Sequence, residues 1–174
     1  MKLIIFEILK QITSLIDGKP YLSVLSQEDK DFFLDSVSED IKNNHIVGNT
    51  SIYELFVDNF IKNGPFQTST DGKNISLVYI YVLKKRKKSI GCSMIYYFPD
   101  YIEIMYIHIS REFRRRGFGC IFQKKLETLV PPNTRMRIRC LSKSTEGIIL
   151  ANKMKFKLVL ISNGGTRIFE KIKV

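Results

Sequence analysis

Residues 102–130 constrain the fold more than any other stretch, because three local patterns follow one another there in a fixed order. The first part is apolar with a period of two, which is typical of a β-strand. Three consecutive arginines and a Gly-x-Gly turn come next, at residues 114–119. The last part has the apolar face of a helix and stops before Pro131. A strand, a basic glycine-containing loop and a helix N-terminus in this order predict an anion-binding site.

One pattern of glycine-rich phosphate loop fits residues 114–119. A dinucleotide fold needs a third glycine at position 122, where the chain has a phenylalanine, and the Gly-Lys-Ser/Thr ending of a P-loop is absent. The pattern R-x-x-G-x-G fits as Arg114, Gly117 and Gly119. Its glycines let the backbone approach a ligand, and the free N–H groups at the helix start point toward it. The loop therefore predicts a pyrophosphate site, to which Arg115 and Arg116 add charge.

The net charge of +11 is concentrated in the half of the chain that contains this loop. Residues 111–174 carry 16 Lys and Arg against 4 Asp and Glu, whereas residues 1–110 carry 12 against 13. A field of this sign attracts the phosphates of a cofactor or of a nucleic acid. Arginines alternate with apolar residues over 134–141, which predicts a strand with a basic face. The run at 84–88, Lys-Lys-Arg-Lys-Lys, is interpreted as a solvated hairpin tip, with RNA contact as the alternative.

The remaining composition predicts a single soluble domain over residues 1–174. No apolar run approaches the roughly 20 residues that span a bilayer. Residues 1–16 have one apolar face and predict an extra N-terminal helix that ends by residue 18. Packing against the domain is the simplest role for this helix, with a homodimer contact or a membrane-surface helix as alternatives. Cys92, Cys120 and Cys140 are odd in number and widely spaced, so they predict reduced thiols in a cytoplasmic protein without a metal site.

The order of the predicted elements gives an α+β fold with a mixed, mostly antiparallel sheet of about six to seven strands flanked by helices. Strands are predicted at 21–25, 76–83, 89–98, 101–109, 134–141, 156–161 and 167–172. Helices are predicted from Ser26, over 52–62, over 119–130 and from 144 or 145 to about 153.

Two stretches resemble motifs of the GCN5-related N-acetyltransferase (GNAT) superfamily. Residues 107–119, IHISREFRRRGFG, are similar to motif A, and residues 146–156, EGIILANKMKF, are similar to motif B. Lys155 stands where motif B commonly has glycine. The match covers about residues 76–161 and the order of the elements, and residues 1–16 lie outside it. The resemblance implies acetyl-coenzyme A as co-substrate, no metal, and direct transfer of the acetyl group to an amine in a ternary complex.

The resemblance also implies site residues by position. The residues implied to bind the cofactor are Ile107, Ile109, Arg114, Arg115, Arg116, Gly117, Phe118, Gly119 and Cys120. The backbone N–H of Ile109 is implied as the donor to the acetyl carbonyl oxygen. Many members carry a tyrosine in motif B as the proton donor to the leaving thiolate, and this sequence has Ala151 at that position.

Two side chains on the strand at 101–109 are candidates for the catalytic base. Glu103 is the only carboxylate on this strand, has apolar neighbours on both sides, and resembles the catalytic Glu of the histone acetyltransferase branch. The alternative is that Glu103 pairs with a basic residue and has no catalytic part. His108 is the second candidate. A regular strand places it on the face opposite Glu103, and a bulge would break that parity.

The sequence thus predicts an N-acetyltransferase whose acceptor is a small-molecule or protein amine. In one alternative, the acceptor is carried on RNA, as in the tRNA-acetylating toxins of the superfamily, and the basic C-terminal half binds the phosphates. In the other, the protein keeps a coenzyme A site without the chemistry and acts as a binding or interaction module. Ala151 is the feature that favours this last alternative.

Overall fold

The computed structural model of the protein describes residues 18–69 and 74–174. The predicted helix over residues 1–16 lies outside the described residues and stays a prediction. The strands are β1 (Tyr21–Val24), β2 (Phe66–Ser69), β3 (Ile75–Lys85), β4 (Lys88–Tyr97), β5 (Tyr101–Ile109), β6 (Arg135–Cys140), β7 (Lys157–Ile161) and β8 (Arg167–Ile172). The helices are α1 (Lys30–Lys42), α2 (Thr50–Asn63), α3 (Phe118–Glu127) and α4 (Thr145–Lys153), with short 3-10 helices at Gln27–Asp29 and Arg111–Phe113.

The described strands form one sheet in the order β1-β3-β4-β5-β6-β8-β7, and β2 pairs with β3 beyond the end of β1. Every pairing is antiparallel except that of β5 with β6. The predicted fold class, a mostly antiparallel mixed sheet with flanking helices, is therefore confirmed. The sheet holds eight strands, and the one beyond the predicted range is β2. Its four residues, Phe-Gln-Thr-Ser, are too few to show a hydrophobic period.

Each face of the sheet carries its own hydrophobic core. On one face, α1 and α2 contribute Phe33, Val37, Val57 and Phe60. On the other face, α3 contributes Phe122 and Leu126, and the end of α4 contributes Ala151 and Met154. Strands β3 to β5 are buried on both faces, so their side chains alternate between the two cores. The two pairs of helices thus cover opposite sides of the strands that frame the site.

Strands β5 and β6 separate halfway along β5. Their parallel pairing ends at Ile104 and Ile138, although β5 continues to Ile109. The register between β4 and β5 shifts at the same place, because Ile104 pairs with Ile95 and Tyr106 with Met94. One residue of β5 is therefore bulged, which reverses the side-chain parity after it. The sheet consequently opens into a gap beyond Ile104.

The bulge brings both predicted catalytic candidates to one face of β5. Glu103 lies opposite Tyr96, and His108 lies opposite Cys92. Tyr96 and Cys92 both belong to the core under α1 and α2. The opposite-face placement expected for a regular strand is thus wrong, and the parity-breaking bulge is present.

The hairpin between β3 and β4 uses most of the basic run at 84–88. Arg86 and Lys87 form the two-residue turn, with positive φ angles of 49° and 67°. Positive φ angles are typical of two-residue hairpin turns, whose backbone twist matches the right-handed twist of the flanking strands. Lys84 forms an ion pair with Asp29 at 2.9 Å, and Lys88 forms one with Glu112. The run therefore forms a hairpin tip in which two of the cations are already paired.

Asp29 joins the start of α1 to this hairpin. Its carboxylate accepts hydrogen bonds from Ser89 Oγ at 2.6 Å and from Ser26 Oγ at 2.7 Å, in addition to Lys84 Nζ. Burial alone would raise the pKa of the Asp29 carboxyl, but the bonds from Ser89, Ser26 and Lys84 outweigh it and lower the pKa below its usual value. The predicted cap, with Ser26 followed three residues later by an acid, is present, since Ser26 N–H also donates to Asp29.

We expect Asp29→Asn to lower the free energy of unfolding by about 2 kcal/mol at neutral pH, because buried donors lose a charged acceptor. Since the pKa of Asp29 is lower in the folded state, its contribution is present above the unfolded pKa and is lost as pH falls through the folded pKa. The difference from wild type should therefore narrow below about pH 4. Urea unfolding at several pH values measures it, and Asp35→Asn, on the exposed side of α1, is the control. A difference that is constant with pH would contradict the assignment.

The three cysteines are free thiols, as predicted, with Cys92 and Cys140 buried and Cys120 half-buried. None of the helices in residues 18–69 and 74–174 is long and apolar enough to cross a membrane.

Candidate functional site

A cavity of about 240 Å³ occupies the gap between β5 and β6. The cavity is lined by the C-terminal part of β5, from Ile104 to Ile109, and by Ile138, Arg139 and Cys140 of β6. The basic loop and the starts of α3 and α4 also contribute to the lining. Further lining residues come from the end of α1 and the segment that follows it. The cavity thus connects the predicted phosphate loop with residues far from it in sequence.

The loop before α3 presents unpaired backbone donors. Arg115 and Gly117 have positive φ angles of 60° and 82°, a conformation that favours glycine and strains a side chain. No side chain caps α3, whose first intrahelical N–H bond runs from Ile121 to Gly117. The N–H groups of residues 118–120 therefore have no partner within the helix. Such a helix start, beside Arg115 and Arg116, is suited to an anion.

The Arg114 side chain holds the loop in place. Its Nε donates to the carbonyl oxygen of Ile109 at 2.8 Å, and its Nη2 donates to Glu39 of α1 at 3.1 Å. The guanidinium charge is therefore balanced inside the protein, so the basic charge left for a ligand comes from Arg115 and Arg116. Phe118 packs its ring edge-on against Phe113 and anchors the start of α3 below the loop.

Backbone groups of β5 also point into the gap. Ser110 N–H donates to the carbonyl of Ile90 at 3.0 Å, so Ser110 and His108 lie at hydrogen-bonded positions of the β4–β5 ladder. The N–H groups of Ile107 and Ile109 consequently point away from β4. Because the pairing with β6 has already ended, these groups face the cavity. Both residues belong to its lining.

A buried acid with two histidines lies where the end of α1 meets the cavity. His108 Nδ1 is 2.7 Å from Asp40 Oδ2, and His45 Nδ1 is 3.1 Å from Asp40 Oδ1. The Tyr106 hydroxyl donates to the same carboxylate at 3.1 Å. Burial alone would raise the pKa of the Asp40 carboxyl, but His108, then His45 and Tyr106, outweigh it and lower the pKa. Asp40 is therefore a carboxylate that orients two cavity-lining imidazoles.

Glu103 lies outside the lining of this cavity. Its carboxylate is 1% exposed and accepts two hydrogen bonds from Arg139, at 2.9 and 3.3 Å. Arg137 is 4.0 Å away and also pairs with Glu170 at 2.6 Å. The structure thus has the ion pair that sequence analysis gave as the alternative for Glu103. Arg139, in contrast, reaches the cavity wall.

Ala151 is fully buried in the core under α3 and α4. The α4 residues that line the cavity are Glu146, Gly147 and Leu150. Ala151 itself is not among the residues that line the cavity. In the described part of the chain, no cluster of three or more His, Cys, Asp or Glu side chains could hold a metal ion.

Sequence reasoning missed Asp40 and His45. A signal for Asp40 was available, because it follows Phe33 and Val37 at helical spacing and so lies on the apolar face of α1. A carboxylate on that face needs a buried partner. His45 follows the end of the helix and carried no such signal.

No protein-family model and no curated protein matches the sequence, whereas solved structures match the fold. An N-acetyltransferase from Staphylococcus aureus Mu50 has a TM-score of 0.65 at 14% identity, over 88% of this chain and 98% of its own. PaiA N-acetyltransferase from Thermoplasma acidophilum, solved with coenzyme A, has a TM-score of 0.64 at 12% identity, and the match covers 88% of this chain and 99% of that one. A GNAT-family acetyltransferase from Bacillus cereus ATCC 10987 has a TM-score of 0.63 at 16% identity, and the match covers 90% of this chain and 99% of that one. The chain therefore has the fold of the GNAT acetyltransferases, which confirms at the level of the fold the resemblance stated from residues 107–119 and 146–156.

Proposed function

We propose that this protein is an acetyl-coenzyme A-dependent N-acetyltransferase that transfers the acetyl group directly to an amine in a ternary complex. One observation carries the proposal. A single cavity joins an uncapped helix N-terminus, beside a basic loop, to an imidazole oriented by a buried carboxylate. The first part suits the pyrophosphate of a coenzyme A thioester, and the second suits an amine that must lose a proton.

The cofactor would lie along the loop and into the gap between β5 and β6. The N–H groups at residues 117–120 would hold the pyrophosphate, with Arg115 and Arg116 adding charge-assisted bonds. The thioester would reach the gap, where Ile109 N–H is free to donate to the acetyl oxygen. That donor stabilises the negative charge that develops on this oxygen in the transition state. Arg114 would act through the loop, because its own charge is balanced by Glu39.

His108 is the base that this geometry favours over Glu103. A lysine-like amine has a pKa of about 10.4, so a base must take its proton near neutral pH. Asp40 occupies Nδ1 of His108, and no hydrogen bond within the described residues engages Nε2. His108 Nε2 would take one proton from the ammonium group, and the neutral amine nitrogen would then attack the carbonyl carbon. The carbon–sulfur bond then breaks, the thiolate of coenzyme A leaves, and the second proton of the nitrogen passes through water to the thiolate.

An acceptor carried on RNA has less support. It drew on the basic C-terminal half, which includes the face of β6, but on that face Arg137 pairs with Glu170 and Arg139 pairs with Glu103. Arg135 and Arg137 also lie over the ring of Tyr101. Within the described residues, these contacts leave that face less basic than its sequence predicts. The missing proton donor at Ala151, which is buried in the core, remains the argument for the coenzyme A-binding module.

We expect acetyl-coenzyme A to bind the purified protein, and the double variant Arg115→Ala/Arg116→Ala to weaken that binding about tenfold or more. Each charge-assisted bond to a phosphate contributes about 1.5 to 3 kcal/mol, and 1.4 kcal/mol corresponds to a factor of ten. Calorimetry measures the Kd. The control is Lys62→Ala/Lys157→Ala, which removes the same charge from exposed sites outside the cavity. No binding to wild type, or an equal loss in the control, would contradict the proposed site.

Activity is tested by thiol release from acetyl-coenzyme A against a panel of small amines, peptides with free amino groups and tRNA. Turnover with any amine supports the proposal. Binding without turnover on every class would instead favour the binding module. Activity confined to tRNA, with a steep dependence on salt concentration, would identify the RNA-carried acceptor.

A further inference from the structure

Arg139 lines the cavity but has no part in the proposed transfer. It follows Ile138, the last residue of β6 that pairs with β5, so it lies where the two strands separate. The Arg139 side chain is 45% exposed, whereas the Glu103 side chain that holds it is 1% exposed. The guanidinium of Arg139 is therefore anchored from inside the protein and remains accessible from the cavity.

Glu103 uses only one edge of the Arg139 guanidinium. The Arg139 Nε donates to Oε1 of Glu103 at 2.9 Å, and Nη2 donates to Oε2 at 3.3 Å. A guanidinium has five N–H donors in a planar fork, and the edge formed by Nη1 and Nη2 can hold a second carboxylate through two parallel bonds. No hydrogen bond or ion pair within the described residues engages Nη1. The edge suited to a carboxylate is thus available, in a direction that Glu103 fixes.

Arg139 projects from the same face of the sheet as His108. Ile138 and Cys140 of β6 belong to the core under α3 and α4, so the residue between them points to the opposite face. His108 lies on that opposite face too, since it pairs with Cys92 of the core under α1 and α2. The two side chains therefore come from the two strands that border the gap, and both line the cavity.

The other carboxylates of the cavity lining have different surroundings. Asp40 is engaged by two imidazoles and by a tyrosine hydroxyl. Glu146 lies in the first turn of α4, which packs on the face of the sheet opposite to Arg139. A carboxylate that meets the available edge of Arg139 therefore has to come from a ligand.

We infer that Arg139 binds a carboxylate of the acceptor, so that the substrate is an amine that also carries a carboxylate group. Arg139 and Met105 follow the last paired residues of β6 and β5, and His108 is three residues beyond Met105. The side chains of Arg139 and His108 therefore start on the order of 10 Å apart along the strand direction. An amine and a carboxylate of one small molecule, or of a peptide with an acidic residue, can span this distance. The amine end rests on the proposed function, whereas the carboxylate site does not.

Amines that differ only in their carboxylate test this inference. The probes are amino carboxylates of increasing chain length and short peptides with an acidic second residue, each paired with its amide. Calorimetry measures their binding, with and without coenzyme A, and thiol release measures kcat/KM. At least one carboxylate should bind about tenfold or more tightly than its amide, because the amide loses a bidentate contact to a charged group. A preference among the amino carboxylates assigns the group to a small molecule, and a preference confined to the peptides assigns it to an acidic side chain.

Two variants remove the carboxylate site in different ways. Glu103→Gln/Arg139→Met removes both charges and should abolish the preference. Arg139→Lys keeps a charge for Glu103 but lacks the planar fork, so it should lose most of the preference. Arg135→Met is the matched control, because it removes an arginine from the same face of β6 outside the cavity lining. Urea unfolding shows that each variant is folded.

An equal affinity of the wild-type protein for carboxylates and amides would overturn the inference, even if amines are turned over. A preference that survives in both Arg139 variants, or that is lost equally in Arg135→Met, would overturn it as well. A preference in binding that depends on Arg139, without turnover of any amine, would support the carboxylate site and overturn the proposed function.

Discussion

His108→Asn should lower kcat by roughly 10²-fold to 10³-fold and leave the affinity for acetyl-coenzyme A unchanged, as expected when a general base is removed. Asparagine places its amide nitrogen close to where Nδ1 of the imidazole lies. The variant can therefore keep the hydrogen bond to Asp40, which measures 2.7 Å in the protein. What it loses is Nε2, the nitrogen available to the acceptor amine. Steady-state kinetics and calorimetry on the same preparation separate the two effects.

The pH dependence of this loss separates a base from a structural residue. Near neutral pH almost all of a lysine-like amine is protonated, and a base is needed to remove the proton. As the pH rises toward about 10, more of the amine arrives neutral and the base contributes less. The deficit of His108→Asn should therefore shrink with rising pH. A deficit of constant size, accompanied by weaker acetyl-coenzyme A binding or a lower free energy of unfolding, would show that His108 supports the cavity rather than the proton transfer.

Local patterns were sufficient for the elements that frame the site. Strands β5 and β8 end where the sequence predicts, at Tyr101–Ile109 and Arg167–Ile172, because alternation and flanking turn residues define a strand over a few positions. The basic loop is likewise defined by adjacent residues. Its glycine spacing predicted an anion site before α3, and the helix start there is uncapped.

The bulge in β5 could not be predicted in the same way. Ile102, Ile104, Met105, Ile107 and Ile109 make this strand apolar on both faces, so a shift of one residue leaves the hydrophobic pattern unchanged. Only the pairing with β4 reveals that one residue is extra. This extra residue decides whether His108 and Glu103 lie on the same face of β5. The preference between the two candidate bases depends in turn on that placement.

The partners of the candidate bases are equally remote in sequence. Asp40 is 68 residues from His108, and Arg139 is 36 residues from Glu103. The alternation on β6 placed Arg139 on a polar face, but the parallel pairing of β5 with β6 decides which carboxylate that face meets. A single sequence contains no direct record of such a pairing. The sequence could therefore give an ion pair of Glu103 only as an alternative and could not identify Arg139 as the partner.

Arg139→Met should lower the free energy of unfolding by about 3 kcal/mol, near the lower end of the range for breaking a buried ion pair from one side. The Glu103 carboxylate is 1% exposed and would keep only Arg137, at 4.0 Å, as a compensating charge. Glu103→Gln should cost only about 1 kcal/mol, because the Arg139 side chain it leaves behind is 45% exposed and can be hydrated. Urea unfolding of both single variants and of Glu103→Gln/Arg139→Met gives the coupling between the two residues.

These three variants form a double-mutant cycle, which distinguishes between the two roles considered for Glu103. If Glu103 serves the ion pair, the double variant should be more stable than the sum of the single changes predicts, by about 1 to 2 kcal/mol. Glu103→Gln should then retain kcat within a few-fold, since its carboxylate does not reach the cavity. A catalytic base would give the reverse result, with a loss of roughly 10²-fold or more in kcat and little coupling to Arg139. Because a glutamine fills nearly the same volume, neither outcome can be attributed to a void in the core.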